Sequence, residues 1–497
     1  MNDELSVGNI AAIVDRQAAR RPAAPAVLMP DRVIGYRELS GMVHAVSRML
    51  LDGGVRPGQT IGISMAQTPQ HLVTLFALAR IGAVSVPVHA MLPRDRRLLA
   101  ARRYGVAAIV SARPELRLEE LPFIDLANAG IGGAAAVVPI YEAAPDYPFR
   151  IALSSGTSGD PKGVMYSHGY MLDRIRKTNH ACTPLSRILP MDLNFTIGFV
   201  FALGMFAAGG AVIFPRSQSL DDLVMAVRAC GASHWLVSPA QAEEIARLLP
   251  DDDIHFPALQ HLRVVGTAPG ARLIRIIKQR FSPNVYVPYG STEMGVVSMA
   301  TPEILDRFPD SAGYLSSWIR AEVVDDHDQQ LAPGQSGRLR LQAEGMVGGY
   351  HMAPAHTAKH FRNGWFYPGD CGRISADGLL FIEGREDDVI NIGGLKINPH
   401  DVEAVLQSHP AVREAAVFAL AAQPVHQEVL AAAFIATSPV SIAELQAFAD
   451  ERLGPTSPQR LIQLAAFPRN TTGKLMRHQL AAVVRQSQAD SAVGRAR

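Results

Sequence analysis

Short β-rich runs and amphipathic helical stretches take turns along this chain up to about residue 311. The runs include Thr60–Met65, Ala83–Val88, Ala107–Val110, Ala211–Phe214, Trp235–Val237, Leu262–Val265 and Val285–Val287. Between them lie helical patterns such as Tyr36–Asp52, Pro69–Ile81, Leu220–Cys230 and Ala240–Leu249. Strands this apolar bury both faces, which parallel sheets covered by helices allow. The expected class is therefore α/β. A chain of 497 residues exceeds what one core supports, so two or three domains are expected.

The texture changes after residue 311. Ile319–Val324, Gly337–Leu341 and Leu380–Glu383 read as strands joined by tight turns, which predicts a small β-barrel-like module over 311–386. A boundary is expected at 386/387, closing a large N-terminal domain over 1–386. Beyond it, helix Pro399–Ser408, strands Glu414–Leu420 and Glu428–Ile435 and helix Ser441–Leu453 predict a small α+β C-terminal domain over 387–485. The polar tail 486–497 reads as disordered.

Composition narrows the function. Hydrophobic residues make up 48% and the net charge is +1, which argues against nucleic acid or an acidic membrane surface as the main partner. Three dispersed cysteines match no disulfide or zinc spacing. With no basic-then-apolar leader at Met1, a cytoplasmic location is expected. The most apolar stretch, Phe195–Phe214, is interrupted by glycines and ends at Pro215, which suits a buried α/β core better than a membrane span.

Five polar strings carry the chemistry. Ser154-Ser-Gly-Thr-Ser-Gly-Asp-Pro-Lys-Gly163 follows the run Ile151-Ala-Leu153. Such a loop can wrap a phosphate chain with N–H groups, hydroxyls and one cation. It lacks the Gly-Lys-Ser/Thr step of the common ATPase loop. Tyr289-Gly-Ser-Thr-Glu293 follows a strand, and offers a ring for a base, a hydroxyl for a phosphate and a carboxylate for Mg²⁺. Asp370 follows a Pro-Gly turn, and its carboxylate can accept bonds from two ribose hydroxyls. Gly384-Arg385 with Asp387-Asp388 and Asn391-Ile-Gly-Gly-Leu-Lys-Ile397 sits on the expected boundary. Asn470-Thr-Thr-Gly-Lys474 presents one lysine near the end of the last domain.

In this order and spacing, the strings make the chain resemble the adenylate-forming enzymes: acyl- and aryl-CoA ligases, peptide-synthetase adenylation domains and firefly-type luciferases. The resemblance spans roughly residues 8–485. It implies ATP, Mg²⁺ and coenzyme A, or a phosphopantetheinyl carrier protein in place of CoA. Ser154, Ser155, Gly156, Thr157, Ser158, Gly159 and Lys162 would cradle the β- and γ-phosphates. Tyr289 and Gly290 would flank adenine on one side, with Gly266, Ala268 and Pro269 on the other. Thr292 would touch the α-phosphate, Glu293 would bind Mg²⁺, and Asp370 would hold the ribose with Arg385 nearby. Asp387 falls at the hinge of a small mobile domain. Lys474 matches the lysine that reaches the carboxylate and α-phosphate. Gly393, Gly394 and Lys396 would face the thiol. Pro368 departs from the usual threonine or serine and removes a hydroxyl and an N–H near the ribose.

The resemblance also bears on the acid. Asn194 stands where many fatty acyl ligases carry histidine and peptide-synthetase domains carry aspartate, and Asn194-Phe195 is similar to the Asn-Tyr of aryl-acid-activating members. A small aromatic acid is expected, with Asn194, Phe195, Phe199, Trp235, Ser291 and Met294 as its pocket; a short or medium aliphatic acid is the alternative. CoA is the expected acceptor. Loading of an acyl carrier protein is the other option, and a monomer or homodimer is expected.

Overall fold

The computed structural model describes residues 8–127, 136–154, 161–178, 181–250, 254–388, 390–392, 395–422, 427–469, 475–477 and 479–485. The chain forms two compact units. One comprises 1–320 with 341–366, and the other 321–340 with 367–497.

The first unit holds two sheets. In the first, the strands run in the order Phe123–Asp125, Val106–Ser111, Thr60–Ile63, Val84–Pro87, Pro148–Ser154, Lys162–Ser167. All neighbours are parallel except the last pair, an antiparallel hairpin in which Ser154 lies opposite Lys162. The glycine-rich string thus leaves and re-enters one ladder. In the second sheet, Val285–Ser291, His261–Val264, His234–Val237, Arg187–Leu189, Ala211–Ile213 and Pro25–Met29 are parallel neighbours. Antiparallel partners flank them: Gly295–Ala300 at one end and Arg32–Gly35 at the other.

The buried sequence runs explain this arrangement. Every residue of Val84–Pro87 and His234–Val237 is buried, as parallel strands between helices must be. Helix Pro69–Arg80 is capped by the Thr68 hydroxyl and is buried over nearly its whole length. The apolar stretch at Phe195 becomes helix Thr196–Ala208, buried on all sides, followed by strand Ala211–Ile213. Thirteen residues span about 20 Å at 1.5 Å each, short of the roughly 30 Å hydrocarbon core. Among the described residues, no helix is long and apolar enough to cross a membrane.

The second unit contains the antiparallel strands Asp370–Ile374 and Leu379–Arg385 and a small hairpin, Ile390–Ile392 with Leu395–Ile397. Helix Pro399–Gln407 leads into strands Val412–Ala422 and Gln427–Ala436, which are antiparallel, and Arg460–Gln463 pairs parallel to the second. Both faces of strand Val412–Ala422 are covered over 412–420. Val417 packs with Val402 and Leu406 on one side, and Phe418 and Leu420 pack with Leu480 and Val484 on the other.

The cross-paired strands Asp370–Ile374 and Leu379–Arg385 fall in the same compact unit as the C-terminal elements, and the expected boundary at 386/387 stays a proposal.

Candidate active site

Ligands of open α/β sheets bind beyond the carboxyl ends of parallel strands. In the first unit, the segments singled out from sequence lie at that edge. Pro190–Asn194 follows strand Arg187–Leu189. Gly266–Pro269 comes just after His261–Val264, and the Tyr289 string ends the neighbouring strand. Gly266 and Ala268 are exposed, and Pro269 is buried.

The Tyr289 string is more ordered than a loop after a strand. The expected strand Val285–Val287 continues to Ser291 and turns back as Gly295–Ala300, with Ser291 opposite Gly295. Thr292, Glu293 and Met294 form the turn, and the Ser291 hydroxyl accepts the Met294 N–H at 3.2 Å. Ser291 thus shapes the turn. Glu293 is 5% exposed.

Two tyrosines hold this turn from below. Tyr166 Oη donates to the Thr292 carbonyl at 2.6 Å and Tyr170 Oη to the Glu293 carbonyl at 3.1 Å. Arg174 donates to Tyr166 Oη at 3.0 Å and lies 5.4 and 5.2 Å from the two ring centroids. Burial pushes both phenols up, so they stay protonated donors at neutral pH. Burial also opposes the charge on Arg174, but Tyr170, Tyr166 and Glu293 outweigh it and strengthen its basicity. Tyr166→Phe removes one donor and strands a buried carbonyl. It is expected to cost about 1–2 kcal/mol of stability and to lower kcat roughly tenfold, with KM for ATP little changed. Urea denaturation and steady-state rates check this, and an unchanged kcat would remove the turn-holding role.

The acid segment is anchored from three directions. Gln67 Nε2 donates to the Pro190 and Met191 carbonyls at 3.2 Å each. Arg150, from the strand leading to the glycine-rich string, donates to the Leu193 carbonyl at 2.9 Å. Gly198 lets helix Thr196–Ala208 approach, since a Cβ there would lie 2.3 Å from the Met191 carbonyl oxygen. Arg150 is 1% exposed, and burial lowers its pKa to about 10, so it stays cationic. Beside it, burial holds His71 neutral, its pKa lowered to about 3.

Asn194, 6% exposed, has a fixed orientation. Its Nδ2 donates to Asp192 Oδ1 at 2.9 Å and to the Met65 carbonyl at 3.4 Å. Both partners are acceptors only, so the amide cannot be turned over. Its Oδ1 is buried and has no partner among the described residues.

Two expected pocket residues are corrected. Trp235 is 1% exposed, edge-on to Phe256 at 5.3 Å and stacked on Phe281 at 6.0 Å, so its ring belongs to the core under the sheet. Trp235→Ala is expected to cost about 3–5 kcal/mol in chemical denaturation without changing acid preference; an altered preference would restore the pocket assignment. Phe199, also 1% exposed, packs beside Phe149 and carries the Arg150 guanidinium 4.6 Å above its centroid, which occupies its face. Phe195 is half-buried, its ring centroid 6.3 Å from that of His89. Met294 lines a shallow groove of about 20 Å³ with Tyr170, Arg174, Val296, Trp318 and Met346.

In the second unit, Asp370 and Arg385 are opposed in register and joined by a 2.9 Å ion pair. Arg385 also donates to the Pro368 carbonyl at 2.8 Å. Pro368 thus helps seat the arginine, although it lacks the hydroxyl expected at its position. Asp387 is exposed in the short turn Glu386–Asp388. Ser155, Gly156, Thr157, Ser158, Gly159, Gly393, Gly394 and Lys474 lie outside the described residues, as does the side chain of Lys396.

Among the described residues, no cluster of three or more acids, histidines or cysteines could hold a metal. A lone carboxylate such as Glu293 fits Mg²⁺ that keeps phosphate and water as its other ligands. Arg150, Tyr166, Tyr170 and Arg174 were not singled out from sequence. Tyr166 lies in strand Lys162–Ser167, and only Tyr170 and Arg174, four apart on helix His168–Thr178, share a helical face.

The chain is also similar to known proteins over most of its length. Indoleacetate–CoA ligase of Aromatoleum aromaticum is 27% identical over 81% of this chain and 84% of its own length. The nonribosomal peptide synthetase CymA of Salinispora arenicola is 28% identical over 94% of this chain, which spans only 6% of that protein. O-succinylbenzoate coenzyme A synthetase of Bacillus subtilis, solved with ATP and magnesium ion, superposes with a TM-score of 0.83 over 94% of this chain and 98% of its own, at 23% identity. Residues 14–351 match the AMP-binding enzyme family and residues 401–474 the AMP-binding enzyme C-terminal domain. With most of its length accounted for in this way, the chain belongs to the AMP-binding enzymes.

Proposed function

We propose that this protein joins a small carboxylic acid to a thiol in two steps. The acid's carboxylate attacks the α-phosphorus of ATP and pyrophosphate leaves. The thiol then attacks the carbonyl of the acyl-adenylate and AMP leaves. The observation that carries this reading is the shared strand edge of the first unit, where the acid segment, the Gly266–Pro269 segment and the Tyr289–Glu293 turn emerge from the same parallel sheet.

The residues have distinct tasks. Tyr289 and Gly266–Pro269 take the adenine. Thr292 donates to the α-phosphate, its carbonyl tethered by Tyr166. Glu293 is the carboxylate that would hold Mg²⁺, which offsets phosphate charge when bound. Lys162 clamps the outer phosphates, Asp370 receives the ribose hydroxyls, and Lys474 brings a cation to the reacting oxygens.

The orientation of Asn194 sharpens the acid class. Its only uncommitted atom is an acceptor, so it suits a hydroxyl or neutral amino substituent rather than the carboxylate itself. The nearby Arg150 charge disfavours an α-ammonium. We therefore favour a small aromatic acid bearing a donor group. CoA is the favoured thiol, supported by the similarity to indoleacetate–CoA ligase along most of its length. Loading of a carrier protein is the second reading, favoured by the similarity to a segment of CymA.

The test is mass-spectrometric detection of AMP and thioester from purified protein, ATP, CoA and a panel of acids. Hydroxy- and aminobenzoates are expected to turn over fastest. Turnover of laurate alone removes the aryl reading, release of ADP removes the adenylation reading, and AMP without CoA thioester redirects the second step to a carrier protein.

A further inference from the structure

Lys162 is 9% exposed, unusual for a lysine. It sits at the first position of the returning strand Lys162–Ser167, opposite Ser154. Its ammonium lies 3.3 Å from His360 Nε2 and 5.2 Å from the Tyr350 ring centroid. His360, 6% exposed, closes the short helix Pro354–His360, and its ring stands edge-on to Tyr350 at 5.8 Å.

The chemistry of the contact fixes the imidazole. An ammonium offers only donors, so Nε2 must present its lone pair, which makes the ring neutral with its proton on Nδ1. The backbone around the pair is also tied down. His351 N–H donates to the Gly163 carbonyl at 2.7 Å, and Tyr104 Oη donates to the Pro161 carbonyl at 2.9 Å. Burial, and then the charges of Lys162, Arg103 and Lys359, push the pKa of nearby His356 down.

We infer that His360 is a positioning residue for the phosphate-binding lysine. It accepts one N–H from Lys162 and, with the Tyr350 face, holds a long flexible side chain in place before nucleotide arrives. The neutral acceptor and the aromatic face restrict the rotamers of the lysine. The inference rests on the reading of Lys162 as the clamp for the outer phosphates.

The test compares binding of Mg·ATP and of AMP to the full-length chain by calorimetry. AMP lacks the outer phosphates and serves as the internal control for folding. His360→Leu is expected to weaken ATP binding roughly five- to tenfold and to leave AMP binding unchanged. His360→Gln, which restores an acceptor, is expected to bind ATP within about twofold of the parent chain. Parent-like ATP binding by His360→Leu, equal losses for ATP and AMP, or failure of His360→Gln to recover binding would each overturn the inference. Lys162→Ala separates the two levels. If it leaves ATP binding intact, the clamp reading itself fails; if it weakens ATP binding while His360→Leu does not, only the role of His360 fails.

Discussion

Replacing Lys474 by alanine is expected to slow acyl-adenylate formation by about 10²–10³-fold. As the carboxylate attacks, negative charge gathers on the α-phosphoryl oxygens and on the oxygen leaving with pyrophosphate. Fixed N–H donors and Mg²⁺ can meet part of that charge, but in the proposed mechanism a cation on the C-terminal domain meets the rest. The cost should fall on the first step alone. Thioester formation from a synthetic acyl-adenylate is expected to run near the parental rate. Acid-dependent pyrophosphate exchange and single-turnover thiolation measure the two steps separately. Undiminished exchange would remove Lys474 from the mechanism, and an equal loss in both steps would reassign it to a structural role.

Gly290→Ala is the second large expected effect. A Cβ at Gly290 would stand 2.0 Å from the Gly295 carbonyl oxygen and 3.1 Å from Val296 Cα. These are backbone atoms of the opposing strand, so no side chain can rotate away. Relief requires the hairpin to spread just where it delivers Thr292 and Glu293. Overpacking of this kind costs about 1–3 kcal/mol, and a displacement of about 1 Å in a catalytic group can cost roughly 10²-fold in rate. Both losses are expected together, in urea denaturation and in the adenylation rate. Gly41→Ala is the control. That glycine lies within helix Tyr36–Asp52 with nothing in reach of a new Cβ, so the change should be neutral or stabilising by about 0.5–1 kcal/mol. A Gly290 variant as active as the control would show that the turn tolerates the shift.

The strands and helices of this chain were largely legible, for a physical reason. Strands such as His234–Val237 are buried on both faces and read as unbroken apolar runs, while Tyr36–Asp52 shows its buried stripe plainly. The strand ending at Ser291 was cut short because Pro288 and Gly290 read as breakers; the paired strand Gly295–Ala300 overrides that local preference. Trp235 and Phe199 were misassigned because an aromatic residue in an apolar run reads the same whether it faces a ligand or a core. Arg150 escaped notice for the converse reason. A lone arginine in a strand suggests an exposed edge, and only tertiary packing reveals the Leu193 carbonyl it serves. The Tyr166–Tyr170–Arg174 support likewise depends on a hairpin more than a hundred residues away.

The pairing of Ser154 with Lys162 has a consequence for how this enzyme can vary over time. Both ends of the glycine-rich string are stitched into the same ladder, so the starting point of the lysine is set by the sheet and not by the path between them. A change between the two stitches would alter the groups expected to meet phosphate without moving the cation they lead to. Changes in the ladder itself carry no such freedom, because slipping it by one residue would turn Lys162 to the opposite face.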